Sequence, residues 1–495
     1  MTFDYEANPI ATPQISPTSW EISQMLGEED FDHSFFSLPL DVSTVSLALT
    51  DEAPMPASMS IPTQIQAQTQ TQTQTKAVQK QSSPPPTIPR GLPFLIEGLD
   101  SPVRQRLFKH FTDTTSWVLT TSTTENNPFL NKIVPRSLHD PMIREALLCI
   151  SASHLTKLQD NQDVDMEAEK RRTLEAAEQE QVARLELLKT AKHPHPTGTS
   201  PKRPDLDLEA MLIAALLLCL YEVSEGTGDI CWRIRLDTAR HLINSDVQSL
   251  NELAIDQFLL EFFWYHDVLA RVTDPGPTRQ PLDAGWDDLF SSLTLTSSSG
   301  RTPAPESHTI GAYDGLLHMV AKLSALQQKI HDADGALDGM LIAEAIELWS
   351  ELDRWQPNIP TGHDDPKQER LVCSAYISAL FVWLFALVYP TDITNPRVQQ
   401  VVRDGLAHLG QINYLRNMAV LLFPVFVLGF ACVDRDTRAQ IESHFQQLIA
   451  FSGFGNVRLA RDVVRQWWFD YDSGNGHSWS WRQRMELYGT TLPLT

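Results

Sequence analysis

Residues 205–243 read DLDLEAMLIAALLLCLYEVSEGTGDICWRIRLDTARHLI, and this stretch decides the fold. From Ala210 to Tyr221 every residue is apolar or nearly so, and no face is set aside for water. A helix of that kind is either the central core helix of a domain or a membrane span. A span needs about 20 such residues, and this run is well short of that. Asp205 and Asp207 follow Pro204 at its start, where carboxylates cap free N–H groups and suit the positive end of the helix dipole. Gly226 and Gly228 then break the run, and Trp232, Leu236, Ala239 and Leu242 resume helical spacing up to Ile243. The stretch predicts a helical hairpin with its first arm buried on all sides, which requires a large helical shell.

The rest of the chain supplies one. Helical spacing predicts helices over Phe94–Phe111, Met142–Leu158, Glu252–Val272, Ala312–His331, Leu337–Trp355, Arg438–Phe451 and Asn456–Trp468, with a last one closed by Trp479, Trp481 and Leu487. Glu167–Lys192, rich in Glu, Ala, Leu, Arg and Lys, reads as a solvent-facing helix with pairs four apart such as Glu180 with Arg184. Leu371–Tyr389 has nearly the length of a membrane span, but Ser374, Tyr376 and Ser378 occupy one half and no basic cluster anchors its end. Met418–Cys432 is shorter and carries Pro424 in mid-run. Both read as core helices, and no membrane partner is expected. Strand-like alternation is scarce, so the predicted class is all-α: a large multi-helix domain over residues 91–495, with flexible insertions near 191–205 and 291–307.

Residues 1–90 read as a disordered tail, with the Gln–Thr repeat Gln68–Thr75, prolines at 84–86 and little apolar periodicity. One part differs. Trp20, Phe31, Phe35, Phe36, Leu38 and Leu40 are interleaved with Glu21, Glu28, Glu29, Asp30, Asp32 and Asp41. Acidic neighbours keep aromatic side chains solvated and available to a partner groove. This composition fits an acidic activation segment, and it also occurs in inert linkers.

The net charge of −23 is shared between the tail, with ten carboxylates against three basic residues, and the body. Such a surface repels a phosphate backbone and argues against nonspecific nucleic-acid binding by the body. The five cysteines (Cys149, Cys219, Cys231, Cys373, Cys432) are scattered, most of them in apolar helical runs, and read as buried free thiols. The opening residues do not read as a secretory signal, and an intracellular location is expected.

Catalytic and metal chemistry finds no footing. There is no G-x-S-x-G, H-E-x-x-H, phosphate loop or C-x-x-C. Gly453, Gly455 and Asn456 look superficially like a dinucleotide fingerprint but follow a helix, which favours a helix–helix turn. His266 and Asp267, adjacent on a helix, point to different sides and are expected to cap or to lie at the surface. His331, Asp332 and Asp334 share a turn, weak ground for a metal. Lys170-Arg171-Arg172 and Lys202-Arg203 are short basic clusters that suit a solvated face better than an import signal. No enzyme activity, cofactor, metal ligand or DNA-binding residue is assigned.

Several segments together resemble the C-terminal regulatory domain of fungal-specific zinc-cluster transcription factors, of the acriflavine-sensitivity-control type. They are Asn127-Pro128-Phe129, Pro135–Pro141, Ser151-Ala152-Ser153-His154, Tyr221-Glu222, Trp232, Leu236–Ile243, Leu421-Leu422-Phe423-Pro424 to Gly429, Gly455-Asn456-Val457, Trp467 and Trp481. They extend across roughly residues 92–490. Arg235 and Thr238 stand where the family often has His and Gly. Such factors also carry a six-cysteine zinc cluster that places a helix in the major groove, and residues 1–90 contain no cysteine. The resemblance implies a nuclear transcriptional regulator, of a secondary-metabolite cluster or a developmental gene set. It would work through protein partners, a DNA-binding regulator or a coactivator, as a homo- or hetero-dimer, and reach DNA only indirectly. The alternative is an interaction scaffold of the same descent with no part in transcription. Tyr221, Glu222 and Trp232 then read as packing and hinge residues.

Overall fold

A computed structural model describes residues 97–121, 126–159, 164–192, 207–246, 256–273, 315–357, 365–413, 417–476 and 478–495. Trp20, Phe31, Phe35, Phe36, Leu38, the pair Lys202-Arg203 and nearly all of both expected insertions lie outside these residues. The class is all-α: the described residues form helices joined by turns, with no strand among them.

The first half holds α1 (Pro102–His110), α2 (Pro141–Gln159), α3 (Val164–Lys192), α4 (Leu208–Glu225), α5 (Cys231–Asp246) and α6 (Gln257–Thr273). The second half holds α7 (Leu316–Asp332), α8 (Gly339–Arg354), α9 (Pro366–Val388), α10 (Pro396–Leu409), α11 (Leu422–Ala431), α12 (Arg435–Ser452), α13 (Gly455–Asp472) and α14 (Trp481–Tyr488).

The hairpin is present as read. The Asp207 carboxylate accepts from Ala210 N at 2.9 Å and starts α4. Gly226, at φ 62°, stops it in the left-handed conformation that glycine adopts without steric cost. Every residue from Ala210 to Tyr221 is buried, because α4 is enclosed by α2, α3, α5, α6 and α13. A second hub, α11, is buried over its whole length and enclosed by α9, α10, α12 and α13. Helix α13 touches both hubs and joins the halves.

Three readings need correction. Helix α3 does have the Arg184–Glu180 pair, at 2.9 Å, yet it is not simply solvent-facing. Met166, Lys170, Thr173, Ala177 and Gln181 form a buried stripe against α2. That stripe is made of small and polar side chains, so hydropathy does not reveal it. Pro424 is not in mid-helix. It sits in the first turn of α11, after a 3-10 turn at Met418–Val420, where a missing N–H breaks no helical bond. Helix α1 starts at Pro102 behind the cap Ser101 rather than at Phe94, and continues through a π turn at Phe111–Thr115. Helix α9 is long and apolar enough to cross a membrane, and 83% of its most apolar window is buried inside the body.

Tryptophans fasten the helix ends. The last carbonyls of a helix have no partner within it, and an indole N–H can donate to one while its rings fill the core. Trp467 donates to Phe430 O at 2.8 Å and Trp468 to Gly429 O at 2.9 Å, both in the last turn of α11. Trp481 donates to Val272 O at the end of α6 at 3.0 Å, and Trp479 to Tyr389 O just past α9 at 2.9 Å. Two of the residues that carry the family resemblance, Trp467 and Trp481, are therefore buried helix-end caps.

Candidate functional site at the hairpin junction

The tightest point of the molecule lies where the α4–α5 turn meets the start of α13. A Cβ on Gly226 would come within 2.5 Å of Asn456 N and closer still to the Gly455 carbonyl carbon. A Cβ on Gly455 would strike Glu225 O and Gly226 N in return. Two backbones are in direct apposition here, and Gly453 (φ 64°) ends α12 just before it. The Gly453–Asn456 segment is thus the helix–helix turn that its position after a helix suggested. The segment 490–495 closes over the same junction. Thr491 N donates to Gly228 O at 2.9 Å, and Trp232 Nε1 donates to Thr491 Oγ1 at 3.1 Å. The buried Asn456 amide donates to Pro493 O (3.1 Å) and Thr495 O (2.8 Å), and Thr273 Oγ1 donates to Leu492 O.

Two ionic networks flank the junction. At the end of α4, the Glu225 carboxylate accepts from Ser153 Oγ at 2.7 Å and pairs with Lys170 at 3.1 Å and Lys157 at 3.5 Å. Burial works against its charge, but Ser153 and the two lysines outweigh it and lower its pKa. Lys170 is itself buried, so the basic cluster at 170–172 is no exposed linear signal: Lys170 pairs into the core and Arg172 with Glu169. One turn earlier, burial pushes Glu222 up to about 7, while Arg235 pulls it down from 3.6 Å. Arg235, the departure from the family pattern, also pairs with Glu178 on α3 and links the two helices.

His266 and Asp267 lie on opposite sides of α6 as expected, but neither is at the surface. Asp267 is fully buried and forms ion pairs with Arg240 on α5 and Arg271 one turn on. His266 Nδ1 lies 2.9 Å from Phe262 O. The reading failed because α6 is buried all round, so even its polar positions face protein. Asn127-Pro128-Phe129 is likewise internal. Asn127 Oδ1 accepts from Phe129 N at 2.9 Å and its amide donates to Ser116 O at 3.0 Å, which makes it a helix cap. Lys170 and Asn456 were not picked out from the sequence as buried tethers. A polar residue on an otherwise small or apolar stripe is the signal that would have found them.

Buried histidines set the acid limit of the fold. Burial lowers His154 to about 3, and His266 and His444 to about 4. Each folded-state pKa lies below the ordinary value of 6.5, so protonation favours the unfolded chain. The stability is complete above pH 6.5 and is lost as the pH falls toward 4. At pH 5 the loss is about 2 kcal/mol per ring, or about 6 kcal/mol together, against a total stability of about 5–15 kcal/mol. Glu222 has the opposite sign, losing stability as the pH rises from 4.5 to about 7. It is one partly solvated group, and its share is smaller. The expected result is a level melting temperature above pH 6.5 and a steep fall between about pH 6 and 5, read by circular dichroism. An unchanged melt down to about pH 4.5 would mean that the rings are hydrated.

Nothing at the junction is arranged for catalysis: its charges neutralise one another and no nucleophile is activated. The Cys149 and Cys432 thiols are pushed up by burial, and so is Cys231, to about 11. Among the described residues no group of three or more His, Cys, Asp or Glu could hold a metal ion, and His331, Asp332 and Asp334 form none. An enclosed cavity of about 60 Å³ lies between α4, α6 and the 418–422 turn, lined by Leu220, Phe262, His266 and Met418. It has room for little more than water, far below the roughly 300–1,000 Å³ of a small-molecule site.

A family model described as the fungal specific transcription factor domain matches residues 106–495. No curated protein and no solved structure matches the chain. The match starts within α1 and takes in every later helix, both hubs and the closing segment. Regulation of transcription is the general role of such a body, and the chain belongs to the fungal specific transcription factor domain family.

Proposed function

We propose that the chain is a nuclear transcriptional regulator of a fungal gene set, such as a secondary-metabolite cluster or a developmental programme. The helical body serves as its regulatory and partner-binding part, and the segment containing Trp20, Phe31, Phe35, Phe36 and Leu38 serves as its activation segment. It works without catalysis or cofactor. It reaches promoters by associating, as a homo- or hetero-dimer, with a DNA-binding regulator or a coactivator. The observation that carries this reading is the family match over 106–495. Added support comes from the acidic–aromatic composition of residues 20–41 and from the strongly acidic balance, which disfavours direct contact with phosphates.

Residues 1–60, fused to a heterologous DNA-binding module, are expected to activate a reporter. Replacing Trp20, Phe31, Phe35, Phe36 and Leu38 together by alanine should remove most of that activity. Chromatin immunoprecipitation should find the full chain at promoters. A silent fusion, with promoter occupancy absent and transcription unchanged on deletion, would instead favour an interaction scaffold. The absence of cysteine from residues 1–90 motivates that second reading.

A further inference from the structure

A second opening lies away from the hairpin junction, where the end of α7 and its turn to α8, the last turn of α9 and the first turn of α14 meet. It is a cleft of about 460 Å³, within the range of small-molecule sites. Trp383 and Trp481 form its floor, their ring centroids 5.6 Å apart, and Ile330, Leu337, Ala386 and Leu387 continue the apolar wall.

One polar group breaks that floor. Gln327 is only 6% exposed and lines the cleft. Its Oε1 accepts from Trp383 Nε1 at 3.1 Å. An indole nitrogen is a donor only, which fixes the orientation of the amide. The Gln327 NH2 therefore brings two N–H groups to the cleft, and neither finds an acceptor among the described residues. A buried donor left idle is unfavourable, and a carbonyl oxygen from a ligand would satisfy it. The cleft's guanidinium is already engaged, with Arg482 Nη1 donating to Gln328 Oε1 at 2.7 Å. Asp334 and Glu486 stand exposed at the mouth. That charge pattern disfavours an anion and leaves a neutral acceptor as the matching group.

We propose that this cleft binds a neutral, largely aromatic small molecule, flat enough to lie on the Trp383–Trp481 floor, that presents a carbonyl oxygen to the Gln327 amide. The proposal is independent of how the chain reaches promoters. The probe is 6-propionyl-2-(dimethylamino)naphthalene, a neutral fluorescent ketone, titrated into the full chain beside its analogue lacking the propionyl group. The expected result is saturable one-to-one binding with blue-shifted emission, with the analogue about tenfold weaker. Gln327→Glu keeps the acceptor for Trp383 and replaces the donor NH2 by oxygen, and should weaken the ketone by about tenfold or more. Leu387→Trp fills the wall and should abolish binding of both compounds. Unsaturable binding, equal affinity for ketone and analogue, or indifference to either substitution would overturn the proposal. Should Gln327→Glu fail to fold, the ketone–analogue comparison in the parent chain and Leu387→Trp decide it.

Discussion

Replacing Gly455 by alanine is expected to destabilise the protein by about 4 kcal/mol or more, or to prevent soluble folding altogether. Local propensity points the other way, since alanine in place of a helical glycine is worth about 1 kcal/mol of stability and Gly455 opens α13. The steric term decides. The added Cβ would strike Glu225 O and Gly226 N, which are backbone atoms and cannot rotate aside as a side chain would. Gly226→Ala should be as damaging, adding left-handed strain at φ 62° to the same collision. Gly474→Ala is the control. It has a similar φ of 76° but nothing within 4 Å of its Cβ, so it should lose only about 1 kcal/mol. Chemical denaturation of the three variants measures the order. If Gly455→Ala matched Gly474→Ala, the direct apposition of α4 and α13 would be wrong.

Asp267→Ala should cost about 3–5 kcal/mol, because removing one side of a buried ion pair strands the charges that faced it. Asp267 has no exposed surface, while Arg240 and Arg271 converge on it from α5 and from one turn further along α6. Asp267→Asn keeps the shape and one oxygen acceptor, and should lose less. A triple variant with Asp267→Leu, Arg240→Met and Arg271→Met should recover much of the loss, since apolar replacements of similar volume often match a buried ion pair. A shift of less than about 1 kcal/mol in the alanine variant would show that both guanidinium groups reach water.

The parts of the fold that were legible in the sequence are those with local causes. Helix α4 announces itself by composition, its ends by Asp207 and Gly226, and the glycine turn at 453–455 by its place after a helix. The hidden parts depend on distant partners. Asp267 reads as a surface carboxylate until Arg240, 27 residues away, is folded against it. Lys170 belongs by sequence to a basic cluster and by structure to Glu225, 55 residues on. The cleft amide of Gln327 takes its orientation from Trp383, 56 residues away. No periodicity encodes such pairings, because each member sits on its own helix for reasons of that helix alone.

The closing segment has a consequence for synthesis. Thr491 bonds to Gly228 across 263 positions of chain, so the hairpin turn waits for residues made long after it. At about 5–20 residues per second, a ribosome needs roughly 15–50 s to cover that distance. Throughout that interval the first six helices are outside the tunnel with α4 lacking both α13 and its strap, and with apolar surface open to other chains. The body cannot be finished half by half. Its yield in a cell should depend on chaperones that hold the early helices, and on codons that set the pace between the hairpin and the last tryptophans.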